Sequence, residues 1–167
     1  MLIEYGKIDS PFGMMTGAMA EGKVVWLDYG SGEHHIADMR KRLGRHLQVA
    51  DFHENESAIK LLRDWVNGYF RREIEQKPPV LLLGTDFQVS VWEALLEMEY
   101  GCLKSYKDIA EQIGNPKAVR AVGQAVNRNP ISILVPCHCI VGANGSLTGY
   151  NGGLDKKTYL LELEKKS

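Results

Sequence analysis

The first thirty residues alternate apolar runs with turn-forming residues. Three segments, 1–8, 13–20 and 23–30, are rich in apolar side chains and are separated by Ser-Pro and Glu-Gly pairs. Short apolar runs bounded by such residues are typical of strands joined by tight turns. The pattern therefore predicts a small antiparallel meander at the N-terminus.

Two segments that follow have the periodicity of helices. They cover 34–47 and 56–72. The second segment has a single apolar stripe, formed by Ile59, Leu62, Val66, Tyr69 and Phe70. The run "QKPPV" ends this helix, because proline lacks the amide donor and clashes with the preceding turn. We therefore predict an N-terminal α/β domain over 1–80 and a mostly α-helical domain over 81–167.

Two capping boxes mark helix starts in the second half. Thr85 with Gln88 predicts a helix that continues to about residue 99. Ser105 with Asp108 predicts a shorter helix that ends at Gly114.

A third helix is predicted from Asn115 as N-cap, with Pro116 at its first position. Together with the preceding helix it forms a candidate helix-turn-helix. Its residues 118–126 are nearly all small, and Arg120 is their only long basic side chain. Small residues are typical of close packing in a core, but a slim helix with one arginine could also enter a DNA minor groove.

Composition narrows the class of protein. Of 167 residues, 44% are hydrophobic and 25% charged, which is typical of a globular protein. No apolar run is long enough to span a membrane and the N-terminus lacks a secretion pattern, so we expect a soluble cytoplasmic protein. The net charge is −1, yet residues 104–128 carry five Lys or Arg against two acidic residues. Such a surplus is typical of a solvated face or of a nucleic-acid contact.

The three cysteines are Cys102, Cys137 and Cys139. An odd number without a secretion signal indicates free thiols and not a disulfide framework. Their spacing with the histidines is unlike the usual zinc patterns, so we expect no metal and no cofactor.

Cys137 stands out by its position. The run "ISILV" predicts a buried strand over 131–135, and Pro136 marks its end. Cys137 would then lie at the end of an element, with His138 as a neighbouring base. A thiol becomes a good nucleophile only when its thiolate is favoured. The residues alone leave two interpretations open, a catalytic cysteine and an ordinary buried thiol.

Three stretches together resemble a known family. They are "NPKAVRAVGQAVNRNP", "ILVPCHCIVG" and "GSLTGYNGGLDKKTYLLELE", and they resemble the O6-alkylguanine-DNA alkyltransferases. The resemblance is densest from about residue 84 to residue 164. It implies direct-reversal DNA repair, in which duplex DNA is bound through the minor groove, the alkylated guanine is flipped out, and its alkyl group passes irreversibly to a cysteine of the protein. Flipping is needed because the guanine O6 lies inside the base pair.

The resemblance also implies roles for individual residues. Cys137 would accept the alkyl group, His138 would act as its base through a water, and Glu164 would orient that histidine. Asn129 would brace the turn before the active-site segment. Tyr106 would help to rotate the nucleotide and would hydrogen-bond the guanine.

Further positions would contact the substrate. Arg120 would enter the base stack, and the DNA-facing surface would also include Tyr106, Ala118, Ala121, Gly123 and Arg128. The alkylguanine pocket would be lined by Tyr150, Asn151 and Ile140. The implied partner is double-stranded DNA with O6-alkylguanine, or O4-alkylthymine, bound by a monomer.

One position departs from the family. Its usual motif is proline-cysteine-histidine-arginine, whereas Cys139 stands here at the fourth position. On a strand, Cys139 would share a face with Cys137. It could be a competing acceptor, an oxidation partner or a core thiol.

Three other functions compete with alkyl transfer. A lesion sensor that flips bases without repair would usually lack the acceptor cysteine. A helix-turn-helix regulator would need base-reading polar residues where Ala118, Val119 and Ala121 stand. A cysteine hydrolase would turn over without DNA.

Overall fold

A computed structural model describes residues 1–73, 76–142, 144–145, 149–150 and 152–165. Contacts between residues divide the chain into two compact units, Met1–Gly84 and Thr85–Ser167. In the described part of the chain, every helix is too short or too polar to cross a lipid bilayer.

The N-terminal unit is built on a four-stranded sheet. Its strands are β1 (Leu2–Ser10), β2 (Gly13–Ala20), β3 (Lys23–Tyr29) and β4 (Asp51–Glu54), in the spatial order β3-β2-β1-β4. The first three strands form the predicted antiparallel meander. β4 was not predicted, and it pairs parallel with β1 because the α1 segment carries the chain across to that edge.

Two helices cover this sheet. α1 (Glu33–Gly44) buries Met39 and Leu43 in one core with Ile3 and Trp26. α2 (Lys60–Phe70) follows a 3₁₀ turn at Glu56–Ile59. It lies so close to β2 that a Cβ on Gly17 would stand 2.7 Å from a methyl carbon of Leu62. The mixed α/β architecture expected for this part of the chain is confirmed.

The C-terminal unit begins with three helices, α3 (Asp86–Leu96), α4 (Tyr106–Gln112) and α5 (Val119–Asn127). Both predicted capping boxes are present, one at the start of α3 and one at the start of α4. α3 packs on α5, where the Trp92 indole N–H donates to the Ala125 carbonyl at 2.9 Å. Between α4 and α5, Gly114 adopts a φ of 78°, which turns the chain as expected for a helix-turn-helix.

The predicted start of α5 at Pro116 was wrong. Pro116 and Lys117 form a separate turn, closed by the Ala118 N–H donating to the Asn115 carbonyl at 3.0 Å. The backbone of Ala118 lies outside the helical region, and regular helix begins at Val119. A proline suits a tight turn as well as a first helical position, so the sequence signal was ambiguous.

The predicted strand over 131–135 was also wrong, although these residues are buried as expected. They form tight turns in which Ile133 adopts a φ of 72°, a conformation that a strand excludes. Cys137–Cys139 then form a 3₁₀ turn, followed by β6 (Ile140–Val141). β6 pairs parallel with β5 (Lys104–Ser105), and α6 (Leu154–Lys165) completes the unit.

Candidate active site

The Cys137 sulfur lies in a buried setting organised by Asn129. The Asn129 Nδ2 donates to the Cys137 Sγ at 3.1 Å and to the Val135 carbonyl at 2.9 Å. Its Oδ1 accepts the Ile131 N–H at 3.0 Å. An N–H aimed at sulfur stabilises the thiolate relative to the thiol. Asn129 therefore holds the turn around the sulfur and favours its reactive form.

His138 and Glu164 form a buried pair beside this turn. The His138 Nε2 is hydrogen-bonded to the Glu164 Oε2, and their side chains are only 1% and 3% exposed. The other carboxylate oxygen, Oε1, accepts the Gly101 N–H at 3.2 Å and faces the Cys139 thiol at 3.5 Å. The carboxylate thus fixes the orientation of the imidazole, as the carboxylate of a catalytic triad does.

The second imidazole nitrogen is available for proton transfer. His138 Nδ1 is buried and has no hydrogen-bond partner among the described residues. When the Glu164 carboxylate accepts the N–H at Nε2, Nδ1 carries the lone pair. A buried nitrogen that can accept a proton is the feature expected of a general base.

Lys157 belongs to the same region and was missed by the sequence analysis. Its side chain is fully buried, and Nζ donates to the Ile140 carbonyl at 2.5 Å. Burial lowers the pKa of the Lys157 ammonium, whereas its attraction to the Cys137 and Cys139 sulfurs raises it. Lys157 stands seven residues before Glu164 in α6, so helical spacing could have placed both on one face.

Cys139 does not share a strand face with Cys137, contrary to the prediction. Both residues lie in a 3₁₀ turn, where positions two apart point in different directions. The Cys137 sulfur meets Asn129, whereas the Cys139 sulfur meets Glu164. Cys102 is an exposed free thiol.

The positions expected to face DNA lie on α4, on α5 or directly beside the two ends of α5. Arg120, Ala121 and Arg128 are exposed, while Ala118 and Gly123 are partly exposed. The partly buried Tyr106 opens α4, and its ring lies 3.8 Å from where a Cβ on Gly123 would stand. At that distance a Cβ would make ordinary van der Waals contact with the ring, so the Tyr106 ring packs directly beside α5.

Two of the three residues expected to line the alkylguanine pocket lie close to His138 or to the residues that follow it in the chain. Tyr150 is buried, with its ring centroid 6.5 Å from that of His138. Ile140 is fully buried. The third, Asn151, lies outside the described residues.

These contacts define a protein with a buried thiol and an oriented histidine in the same unit as a two-helix motif. The sequence profile described as "6-O-methylguanine DNA methyltransferase, DNA binding domain" matches residues 86–166. The methylated-DNA–protein-cysteine methyltransferase of Methanosarcina barkeri is 42% identical over 162 residues, or 96% of each chain. The inducible enzyme of Bacillus subtilis with the same name is 58% identical over 128 residues, which cover 77% of this chain and 70% of that one.

Solved structures agree in fold. The crystal structure of Mycobacterium tuberculosis OGT in complex with DNA matches with a TM-score of 0.82 and 41% identity, covering 98% of this chain and 93% of that one. The chain therefore belongs to the methylated-DNA–protein-cysteine methyltransferase family.

Proposed function

We propose that this protein repairs O6-alkylguanine in duplex DNA, with Cys137 as the acceptor in a single-turnover reaction. The thiolate attacks the alkyl carbon, an S–C bond forms, and the C–O6 bond breaks with its electron pair leaving on the guanine. The observation that carries this proposal is the Asn129 N–H directed at the Cys137 sulfur beside the His138–Glu164 pair.

His138 removes the thiol proton before the attack. Its Nδ1 takes the proton through a water, and the Glu164 carboxylate stabilises the imidazolium that results. As the alkyl group departs, the guanine takes up one proton from solvent, which balances the thiol proton that His138 has taken and returns to solvent. The Tyr106 hydroxyl is hydrogen-bonded to the guanine and makes it a better leaving group. No cofactor takes part in these steps.

DNA is bound by α4 and α5 through the minor groove. Arg120 fills the space that the flipped base vacates, and the small Ala118, Ala121 and Gly123 allow close approach of the helix. Arg128, which directly follows α5, contacts the phosphate backbone of the DNA. The exposure of Arg120 and Arg128 supports this arrangement, as does the relative solved in complex with DNA.

The flipped base enters a pocket lined in part by Tyr150 and Ile140. Residues 81–167 supply the DNA-binding and catalytic groups, and residues 1–80 have a structural role. We further propose that the protein acts as a monomer in the cytoplasm and that O4-alkylthymine is a second substrate class.

Intact-protein mass spectrometry with peptide mapping tests the proposal. After incubation with duplex DNA containing O6-methylguanine, we expect one added methyl group on Cys137 and none on the Cys137→Ser variant. A methyl group on Cys139 would contradict the acceptor assignment. Tight binding of the lesion without any change in mass would instead indicate a lesion sensor.

A further inference from the structure

The three side chains His138, Cys139 and Glu164 form a compact buried cluster. One ligand atom from each, an imidazole nitrogen, a sulfur and a carboxylate oxygen, lies within 4.8 Å of the other two. Among the described residues, these are the His, Cys, Asp or Glu side chains whose ligand atoms lie close enough together to hold a metal ion. The Cys137 sulfur is not one of these ligand atoms. The cluster therefore stands beside the acceptor thiol and is distinct from it.

The ligand types and one of the distances fit zinc. Zn²⁺ prefers nitrogen, sulfur and oxygen ligands at about 2.0–2.3 Å in a tetrahedral arrangement. Such an ion holds a sulfur and an oxygen ligand roughly 3.6 Å apart. The Cys139 Sγ and Glu164 Oε1 already lie 3.5 Å apart. To admit the ion, the hydrogen-bonded His138–Glu164 pair must open and the imidazole nitrogen must come to a similar distance from the sulfur.

The charges of the cluster also match a dication. A thiolate at Cys139 and the Glu164 carboxylate supply two negative charges, and neutral His138 supplies none. The arginine of the usual motif would add a positive charge and no ligand atom at position 139. The nearby Lys157 ammonium opposes a cation, so we expect weaker binding than at a structural zinc site.

Glu164 is a member of the cluster that borders a cavity. A cavity of about 420 Å³ has Glu164 in its wall, together with Gly101 and Leu103 from the segment before β5 and Leu161 from α6. Water in such a cavity can complete the coordination of an ion held by three protein ligands.

We propose that His138, Cys139 and Glu164 bind one Zn²⁺ ion and that this binding blocks alkyl transfer. The Cys139 thiol gives up its proton to solvent as its sulfur binds the ion. The ion occupies the histidine and the carboxylate that activate Cys137, so the base is lost while it is bound. The inhibition rests on the proposed function, but the binding of zinc does not.

Direct binding is measured first, without reference to activity. Purified protein is dialysed against Zn²⁺ and its metal content determined. Co²⁺ is then added as a spectroscopic probe, because a thiolate ligand gives a charge-transfer band. We expect one ion per chain and a thiolate band in the wild type. Both should be lost in Cys139→Ser, which removes only the soft ligand, and in Cys139→Arg, which restores the usual motif.

Two matched variants locate the thiol that binds. Cys102→Ala and Cys137→Ala each remove another cysteine, and both should retain one ion and the thiolate band. Loss of the ion in either variant would overturn the assignment, and so would a wild type that binds none. Circular dichroism and thermal melting of each variant verify that it is folded.

Inhibition is measured as the ratio of the methyl-transfer rates with EDTA and with Zn²⁺. We expect this ratio to be at least about tenfold in the wild type and close to one in Cys139→Ser and Cys139→Arg. Equal ratios in all three proteins would overturn the inhibitory role. A wild type that binds zinc through Cys139 yet transfers no methyl group even in EDTA would contradict the proposed function and leave the metal site standing.

Discussion

Asn129 joins three parts of the turn around Cys137 through one buried side chain. Its amide donates to the Ile131 and Val135 carbonyls and to the Cys137 sulfur, and its carbonyl accepts from the Ile131 amide. Turns such as this one have no ladder of backbone hydrogen bonds to hold them, so their geometry depends on side chains of this kind.

Replacing Asn129 by alanine should affect both stability and reactivity. Because buried backbone groups lose their partners, we expect the free energy of unfolding to fall by roughly 2–4 kcal/mol. Because the sulfur loses an N–H donor, less of Cys137 is thiolate at a given pH. Urea denaturation measures the first effect, and the pH dependence of iodoacetamide modification, in a Cys102→Ala background with peptide mapping, measures the second.

The exposed Asn127, at the end of α5, provides the control. Asn127→Ala should change the free energy of unfolding by less than about 0.5 kcal/mol and leave the modification profile unchanged. If Asn129→Ala unfolds more easily but modifies Cys137 with the wild-type pH profile, Asn129 supports the turn and does not act on the sulfur.

At the scale of elements, the start of α4 is tied to the active-site segment. Ser105 caps α4 and also belongs to β5, which pairs with β6 directly after the Cys137–Cys139 turn. The Ser105 Oγ accepts the Asp108 N–H at 3.0 Å, and Asp108 Oδ2 accepts the Ser105 N–H at 2.9 Å. The bond from the Ser105 N–H, followed by the interaction with the Ser105 side chain, lowers the pKa of the Asp108 carboxyl below its usual value.

Removing this cap should destabilise the protein in a pH-dependent way. We expect Ser105→Ala to lose about 1 kcal/mol of unfolding free energy at pH 7. A carboxyl whose folded pKa is lowered stabilises the fold above its unfolded pKa of 3.8 and loses that effect as pH falls through the folded pKa. The difference between Ser105→Ala and wild type should therefore shrink below about pH 4, as measured by urea denaturation.

Ser105→Thr keeps a hydroxyl at the cap and serves as the matched control. The free energy of unfolding of Ser105→Thr should be close to that of the wild type both at pH 7 and below about pH 4. A Ser105→Ala deficit that is the same at neutral and acidic pH would mean that the Ser105 hydroxyl does not act on the Asp108 carboxylate.

Local signals predicted some of these elements and not others. Both capping boxes were predicted because their hydrogen bonds join residues three positions apart, within reach of a sequence pattern. The run 131–135 was misread because apolar β-branched residues indicate burial and strand equally, and nothing local reveals the positive φ of Ile133. Lys157 and the Glu164–Cys139 contact depend on how α6 packs against the turn, which periodicity alone does not specify. The resemblance supplied the expected acceptor, the base and the pairing of Glu164 with His138, whereas geometry alone revealed the contacts of Glu164 with Cys139 and Gly101.

At the scale of the whole molecule, the distribution of charge matters more than its sum. The net charge is −1, but residues 104–128 hold an excess of three positive charges. Lys107, Lys117, Arg120 and Arg128 are all exposed there. A protein nearly neutral overall can still bind DNA when its positive charges face the phosphates.

This distribution predicts a modest dependence of DNA binding on salt. If about three phosphates are neutralised, the logarithm of the association constant should fall with the logarithm of salt concentration with a slope of about −3. Lys117→Ala should make the slope less steep by about one. Lys23→Ala, which removes an exposed lysine from the N-terminal unit, should leave it unchanged. Fluorescence anisotropy with labelled duplex DNA over a range of salt concentrations measures all three slopes. If Lys117→Ala and Lys23→Ala changed the slope equally, residues 1–80 would contact DNA as well, and their role would not be structural alone.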